Sequence, residues 1–204
     1  MKILVACEIS QAVTIELRNL GHEAYSCDIK KCTGGYSQWH LQQDVSPLLK
    51  KKWDMVIAFP PCTYLAVTGN DWFNIEKYGK KAINRYKNRE KAVGFIMECI
   101  NANAKFIAVE NPVGVMSSIY RSPDQIVNPY QFGDPFEKKT CFWLKNLPRL
   151  QPTNLVKPEP RVKFKSGKTM PKWYNHARNL PKEKRAEVRS QTFPGIAKDR
   201  KSVV

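Results

Sequence analysis

The chain lacks any Cys-x-x-Cys pair, any run of 18 or more apolar residues and any internal repeat or low-complexity tract. The first absence removes the usual spacing of a structural zinc site. The second leaves no candidate for a membrane-spanning helix. The apolar start Ile3-Leu4-Val5-Ala6-Cys7 is cut short by Glu8, so no leader peptide is expected. The six cysteines, at 7, 27, 32, 62, 99 and 141, then read as reduced thiols of a protein expected in the cytoplasm. Cys27 and Cys32 with His22 and His40 can be imagined as ligands, but ordinary core or loop residues are the simpler reading, and no metal is expected. Acidic residues are scarce, 18 Asp and Glu against 34 Lys and Arg, for a net charge of +16. Residues 145 to 201 hold 16 basic and 4 acidic residues, hence +12 of that total. Such a surface is the footprint of a polyanion, and nucleic acid is the expected partner. An anionic membrane fits less well, because Pro152, Pro158, Pro160, Pro171 and Pro181 interrupt the segment before a long amphipathic helix can form.

What is present begins with strands. Lys2 to Cys7 and Trp53 to Phe59 are short apolar runs of strand length, Gln11 to Leu20 has Val13, Leu17 and Leu20 on one helical face, stopped by Gly21, and Glu23 to Asp28 is then a second strand carrying its acid at the tip. This β-α-β order predicts an α/β fold: a Rossmann-like, mostly parallel sheet with helices on both faces. Asn74 to Asn101 reads as one long helix, with Ile83, Val93, Ile96, Met97 and Ile100 inward and Lys77, Lys80, Lys81, Arg85, Lys87, Arg89 and Lys91 mostly outward. Lys105 to Val109 and Thr140 to Leu144 are two further strands. The 204 residues divide into a catalytic-type body, 1–150, and a basic Pro/Lys-rich segment, 151–204. In the latter, Phe164, Trp173 and Tyr174 lie among the charges, as in a reduced nucleic-acid-binding arm or a tail that orders on DNA.

The chemistry concentrates where two of these strands end. Met55 to Ala58 runs into Phe59-Pro60-Pro61-Cys62, a thiol held at a rigid strand edge, where sites of open α/β sheets are built. Phe106 to Val109 runs into Glu110-Asn111-Pro112. A thiolate and a carboxyl at one sheet edge suit a pyrimidine: the thiolate adds to C6 while the carboxyl hydrogen-bonds N3 and the exocyclic amine, and C5 becomes nucleophilic. The loop from Thr63 to about Asn74 has a mobile composition, and its Tyr64 and Trp72 could stack on a base or pack as core.

At these residues the chain resembles the cytosine C5 DNA methyltransferases that use S-adenosylmethionine, most closely their short phage-type members. Pro60-Pro61-Cys62 matches the family's nucleophile motif and Glu110-Asn111-Pro112 its cytosine-binding glutamate motif. The resemblance implies a methyltransferase fold, a cofactor site of Glu8, Ile9, Ser10, Asp28, Asp44 and Pro60, and substrate contacts from Pro61, Asn111, Tyr64, Trp72, Lys138 and Lys139. It covers roughly residues 1 to 150 and returns weakly at Gln191-Thr192-Phe193-Pro194-Gly195. It also implies a role in DNA modification in a bacterial or phage-infected cell. Three features depart from the family. Gln11-Ala12-Val13 stand where glycines follow the first strand, Gln131-Phe132-Gly133 with Lys138-Lys139-Thr140 is a loose substitute for the family's Gln-x-Arg-x-Arg that could still meet a phosphate, and the long target-recognition region is missing. The chain is therefore expected to read little sequence, or to read it differently. Phe59 in place of a polar residue before Pro-Pro, with the thiol after it, favours methylation of carbon over an amine. Open alternatives are a non-catalytic DNA-binding or anti-restriction module, and the same chemistry on RNA, on a free cytidine nucleotide or with a modified cofactor.

Overall fold

The computed structural model describes residues 1–190 and 194–199. Gln191, Thr192 and Phe193, part of the weak C-terminal match, lie outside them. A first unit runs β1 (Lys2–Ala6), α1 (Ala12–Asn19), β2 (Glu23–Asp28) and β3 (His40–Gln42). A second follows through α2 (Ser46–Leu49), β4 (Trp53–Ala58), α3 (Ile75–Tyr78), α4 (Lys80–Ile100) and β5 (Ala104–Pro112). The chain continues with α5 (Met116–Ile119), β6 (Gln125–Val127) and β7 (Thr140–Lys145). It then forms the separate two-stranded ribbon β8 (Arg161–Lys163) and β9 (Thr169–Pro171), and helices α6 (Lys172–Arg178), α7 (Lys182–Ser190) and α8 (Pro194–Asp199).

The main sheet has seven strands in the order β3-β2-β1-β4-β5-β7-β6. The first five are parallel; β7 runs antiparallel to both β5 and β6. The fold is α/β with a mostly parallel sheet, as the β-α-β pattern predicts. Alternation along β1 sorts its side chains between two layers. Ile3 and Val5 join Val13 and Leu17 of α1, Met55, Ile57 and Ala197 of α8, while Leu4 and Ala6 face Val56, Leu48, Ile96 and Cys99 on the α2 and α4 side. The strand order reverses between β1 and β4, and in open sheets that switch point opens a crevice at the carboxyl ends of the strands. Glu8 and Cys62 both lie just past those ends.

Two expectations need correction. The helix expected over 74–101 is two helices, because Gly79 sits at φ 49° and ψ −128° and α4 starts anew at Lys80. Ile83, expected inward, is 44% exposed, and Ala82 takes the buried place. The strand expected to end at Val109 continues to Pro112, since Glu110, Asn111 and Pro112 pair with Phe142, Cys141 and Thr140 of β7.

The basic C-terminal segment folds back on the body. Asn154, Val156 and Glu159 donate backbone N–H groups to the carbonyls of Gln131, Tyr130 and Pro135. Arg161 pairs with Glu137, and the Trp173 indole donates to the Glu137 carbonyl at 3.0 Å. Ile196 of α8 is buried with Val127, Phe132, Phe142 and Leu150. No helix among the described residues is long and apolar enough to cross a membrane.

Candidate active site at the carboxyl edge of the sheet

Two prolines fix the chain as it leaves β4, and its course is then pinned from three sides. The buried Asn111 amide donates to the Pro60 carbonyl at 2.9 Å, joining the two motifs directly. The Cys62 carbonyl accepts the N–H groups of Leu65 and Ala66, both at 3.0 Å, in a tight turn that buries both side chains. Beyond the turn, Val67 donates to the Val113 carbonyl at 3.1 Å and Val115 to that of Leu65 at 2.9 Å. Gly114 is required at this crossing, since a Cβ there would lie 2.1 Å from the Leu65 carbonyl oxygen.

Helix α4 supplies the third side. Arg85 Nη2 donates to the Thr63 carbonyl at 2.8 Å, and Arg89 Nε donates to the Tyr64 carbonyl at 2.9 Å. Residues four apart lie on one helical face, so the two guanidiniums grip consecutive carbonyls beside the thiol. This corrects their reading as outward-facing cations. It also shows why the loop, mobile in composition, has a defined course through a 3-10 segment from Val67 to Phe73.

Around the half-buried Cys62 thiol stand Glu110 of β5, Lys138 before β7, and Arg189 of α7. Burial pushes the thiol above its usual value, and the Glu110 carboxylate adds to the rise; Lys138 and Arg189 act in the opposite direction. The sequence does not single out Arg189, because nothing local distinguishes it from the other arginines of a basic segment. Its Nη2 donates to the Thr68 hydroxyl at 3.1 Å and its guanidinium lies 4.9 Å from the Tyr174 ring, which holds α7 over the Cys62 loop. Lys138 is half-buried and Lys139 exposed; Pro61 is exposed as well, while Pro60 is buried. Tyr64 is half-buried and Trp72 is 55% exposed; the buried aromatic of the loop is Phe73.

Two carboxylates lie at the ends of β2 and β3. Asp28, at the tip of β2, accepts the Lys30 N–H at 2.9 Å, and Asp44, past β3, accepts the Ser46 N–H at 2.9 Å. Both carboxylates join burial in pushing up the Cys7 thiol, just past β1. Glu8 instead turns into α1: it is 3% exposed and accepts the Val13 N–H at 2.7 Å and the Thr14 hydroxyl at 2.6 Å. A carboxylate on the first N–H groups of a helix is favoured by the helix dipole. The loop between β1 and α1 has left-handed backbone at Cys7 (φ 59°) and Gln11 (φ 58°). Gln11 is fully buried, its amide donating to Ser26 Oγ at 3.2 Å and to the Tyr36 carbonyl at 2.8 Å. Ser10 is exposed and its hydroxyl accepts the Ala12 N–H at 3.4 Å, while the Ile9 carbonyl accepts the Thr33 N–H at 2.7 Å. Among the described residues no three His, Cys, Asp or Glu side chains form a group able to hold a metal.

No known family profile and no curated protein matches the chain. The functional reading therefore rests on these residues and their geometry.

Proposed function

We propose that the protein methylates C5 of cytosine in nucleic acid, DNA foremost, through a covalent adduct of Cys62 with C6 of the ring. The observation that carries this reading is the meeting of Cys62 and Glu110, 48 positions apart, within electrostatic reach of each other and of two cations. The half-buried thiol and its carboxylate partner match the two demands of the chemistry, a nucleophile for C6 and a hydrogen-bonding acid for N3 and the amine.

The chain's own groups can be followed through the reaction. While Glu110 carries a proton it hydrogen-bonds N3 and, being uncharged, does not repel a charged sulfur, so substrate engagement favours loss of the Cys62 thiol proton to solvent. Lys138 and Arg189 stabilise that thiolate further. The S–C6 bond forms as the C5–C6 π pair moves to C5, and the ring charge is met at N3 by Glu110. After C5 takes the methyl group, its proton passes to solvent water, the electron pair re-forms C5=C6, and the Cys62 thiolate departs. Asn111, through the Pro60 carbonyl, keeps the nucleophile loop in register with β5.

S-adenosylmethionine, when bound, supplies the electrophilic methyl group. The residues present fit it: Asp28, 20 positions past Glu8 at the tip of the second strand, suits ribose hydroxyls, and Asp44 adds negative charge for a cationic cofactor. The left-handed Cys7 and Gln11 keep a course that glycines would give the first loop more cheaply. Ile9, Ser10 and Pro60 border this half of the crevice, whereas the Glu8 carboxylate is committed to α1.

Transfer of labelled methyl to duplex DNA, single-stranded DNA, RNA and dCMP, compared with Cys62→Ser, tests the reading. Label at C5 of cytosine that vanishes in the variant supports it. No label from a protein that still binds DNA would turn the reading to a non-catalytic binding module.

A further inference from the structure

Beside the nucleophile loop lies a cavity of about 190 Å³, between that loop and α4. Its walls include Tyr64, Trp72, Lys81, Asn84, Arg85 and Asn88. Trp72 is 55% exposed yet held: its ring lies 4.8 Å from that of Tyr78, whose hydroxyl donates to Asp71 at 2.8 Å, and Lys77 pairs with the same carboxylate at 3.0 Å. A large aromatic so fixed and so exposed contributes little to the core, which the neighbouring Phe73 fills. Across the cavity the Arg85 guanidinium lies 5.0 Å from the Tyr64 ring. Its Nε is buried without a hydrogen-bond partner.

We propose that this cavity takes one unpaired nucleobase of the strand whose target cytosine lies at Cys62. The inference rests on the nucleic-acid part of the reading above and not on methyl transfer. Aromatic faces and a guanidinium are what bases stack on. The Asn84 and Asn88 amides offer both donors and acceptors to a base edge, and Lys81 offers a cation to the phosphate. The volume falls below the ~300 Å³ at which drug-sized pockets begin, which suits one flat ring. Arg85 also holds the Thr63 carbonyl, next in sequence to Cys62, so occupancy of the cavity bears directly on the nucleophile loop. A chain without a long target-recognition region would thereby read a base near its target.

The test is fluorescence anisotropy with labelled dA12 and an abasic 12-mer of equal charge, without cofactor, for the wild type, Trp72→Ala and Lys81→Ala. Trp72→Ala should lose on the order of tenfold in affinity for dA12 and nothing for the abasic strand. Lys81→Ala should weaken both strands alike, with a shallower salt dependence. Equal loss on both strands for Trp72→Ala, or none on either, overturns the base site while leaving the methyl-transfer reading standing. Failure of the wild type to bind either strand overturns the base site, and methyl transfer then stands or falls on the labelled duplex. Absence of methyl transfer with the Trp72 pattern intact overturns only the catalysis.

Discussion

The Asn111 side-chain amide donates to the Pro60 carbonyl at 2.9 Å, so the strand that presents Glu110 also fixes the turn that presents Cys62. Loss of that bond leaves a buried carbonyl unsatisfied. Asn111→Ala should therefore cost about 1–3 kcal/mol of stability. It should also lower the methyl-transfer rate by more than it weakens nucleic-acid binding. Urea unfolding and a kcat against KM comparison check the two halves; an unchanged kcat would contradict the positioning role.

Catalysis should rise with pH. The folded state pushes the Cys62 thiol above its usual value through burial and Glu110, so the thiolate is scarce at neutral pH and increases as pH climbs. Lys138→Ala and Arg189→Ala each remove a cation that acts against this rise, and should move the kcat/KM profile to higher pH. A profile with no rising limb, or one that neither variant moves, would count against the assignment.

Stability should fall on the alkaline side. Burial raises Cys27 and Cys141 to about 11 and Cys99 to about 12, from a usual 9.0. The unfolded chain therefore gives up these protons first, and stability present below pH 9 is lost progressively as pH rises toward the folded values. Urea midpoints measured from pH 7 to 11 should decline above 9; a flat or rising trend would be the opposite of this prediction.

Gly114→Ala should push the Cys62 loop off its neighbour, because the added carbon meets the Leu65 carbonyl oxygen at 2.1 Å. A cost on the order of 1–3 kcal/mol is expected. Thiol labelling of Cys62 should quicken relative to Cys32. An unchanged labelling ratio would show that the crossing does not hold the loop.

Much of this arrangement was legible in local pattern. The runs Ile3–Cys7 and Met55–Phe59 have the length and composition of buried parallel strands, and they place Glu8 and Cys62 at the strand ends. The extension of β5 through Glu110 was not legible, since it depends on antiparallel pairing with β7, some thirty residues away. Arg85 and Arg89 look like solvated cations on a helix face until their carbonyl partners at Thr63 and Tyr64 are known. Arg189 depends on the return of the C-terminal segment over the loop, a long-range contact that no spacing announces. Gln11 stands where glycines are expected, yet it adopts the left-handed backbone and places its amide on Ser26 and Tyr36.

The most direct test of the central claim uses an oligonucleotide carrying 5-fluorocytosine. C5 must lose a proton before Cys62 can leave, and fluorine cannot depart in the proton's place. With S-adenosylmethionine present, intact mass should show protein, oligonucleotide and one methyl group joined, and the peptide map should place the link on Cys62. The complex should be absent from Cys62→Ala. Methyl transfer to ordinary cytosine without any trapped species, or a trapped species that survives in Cys62→Ala, would contradict the account.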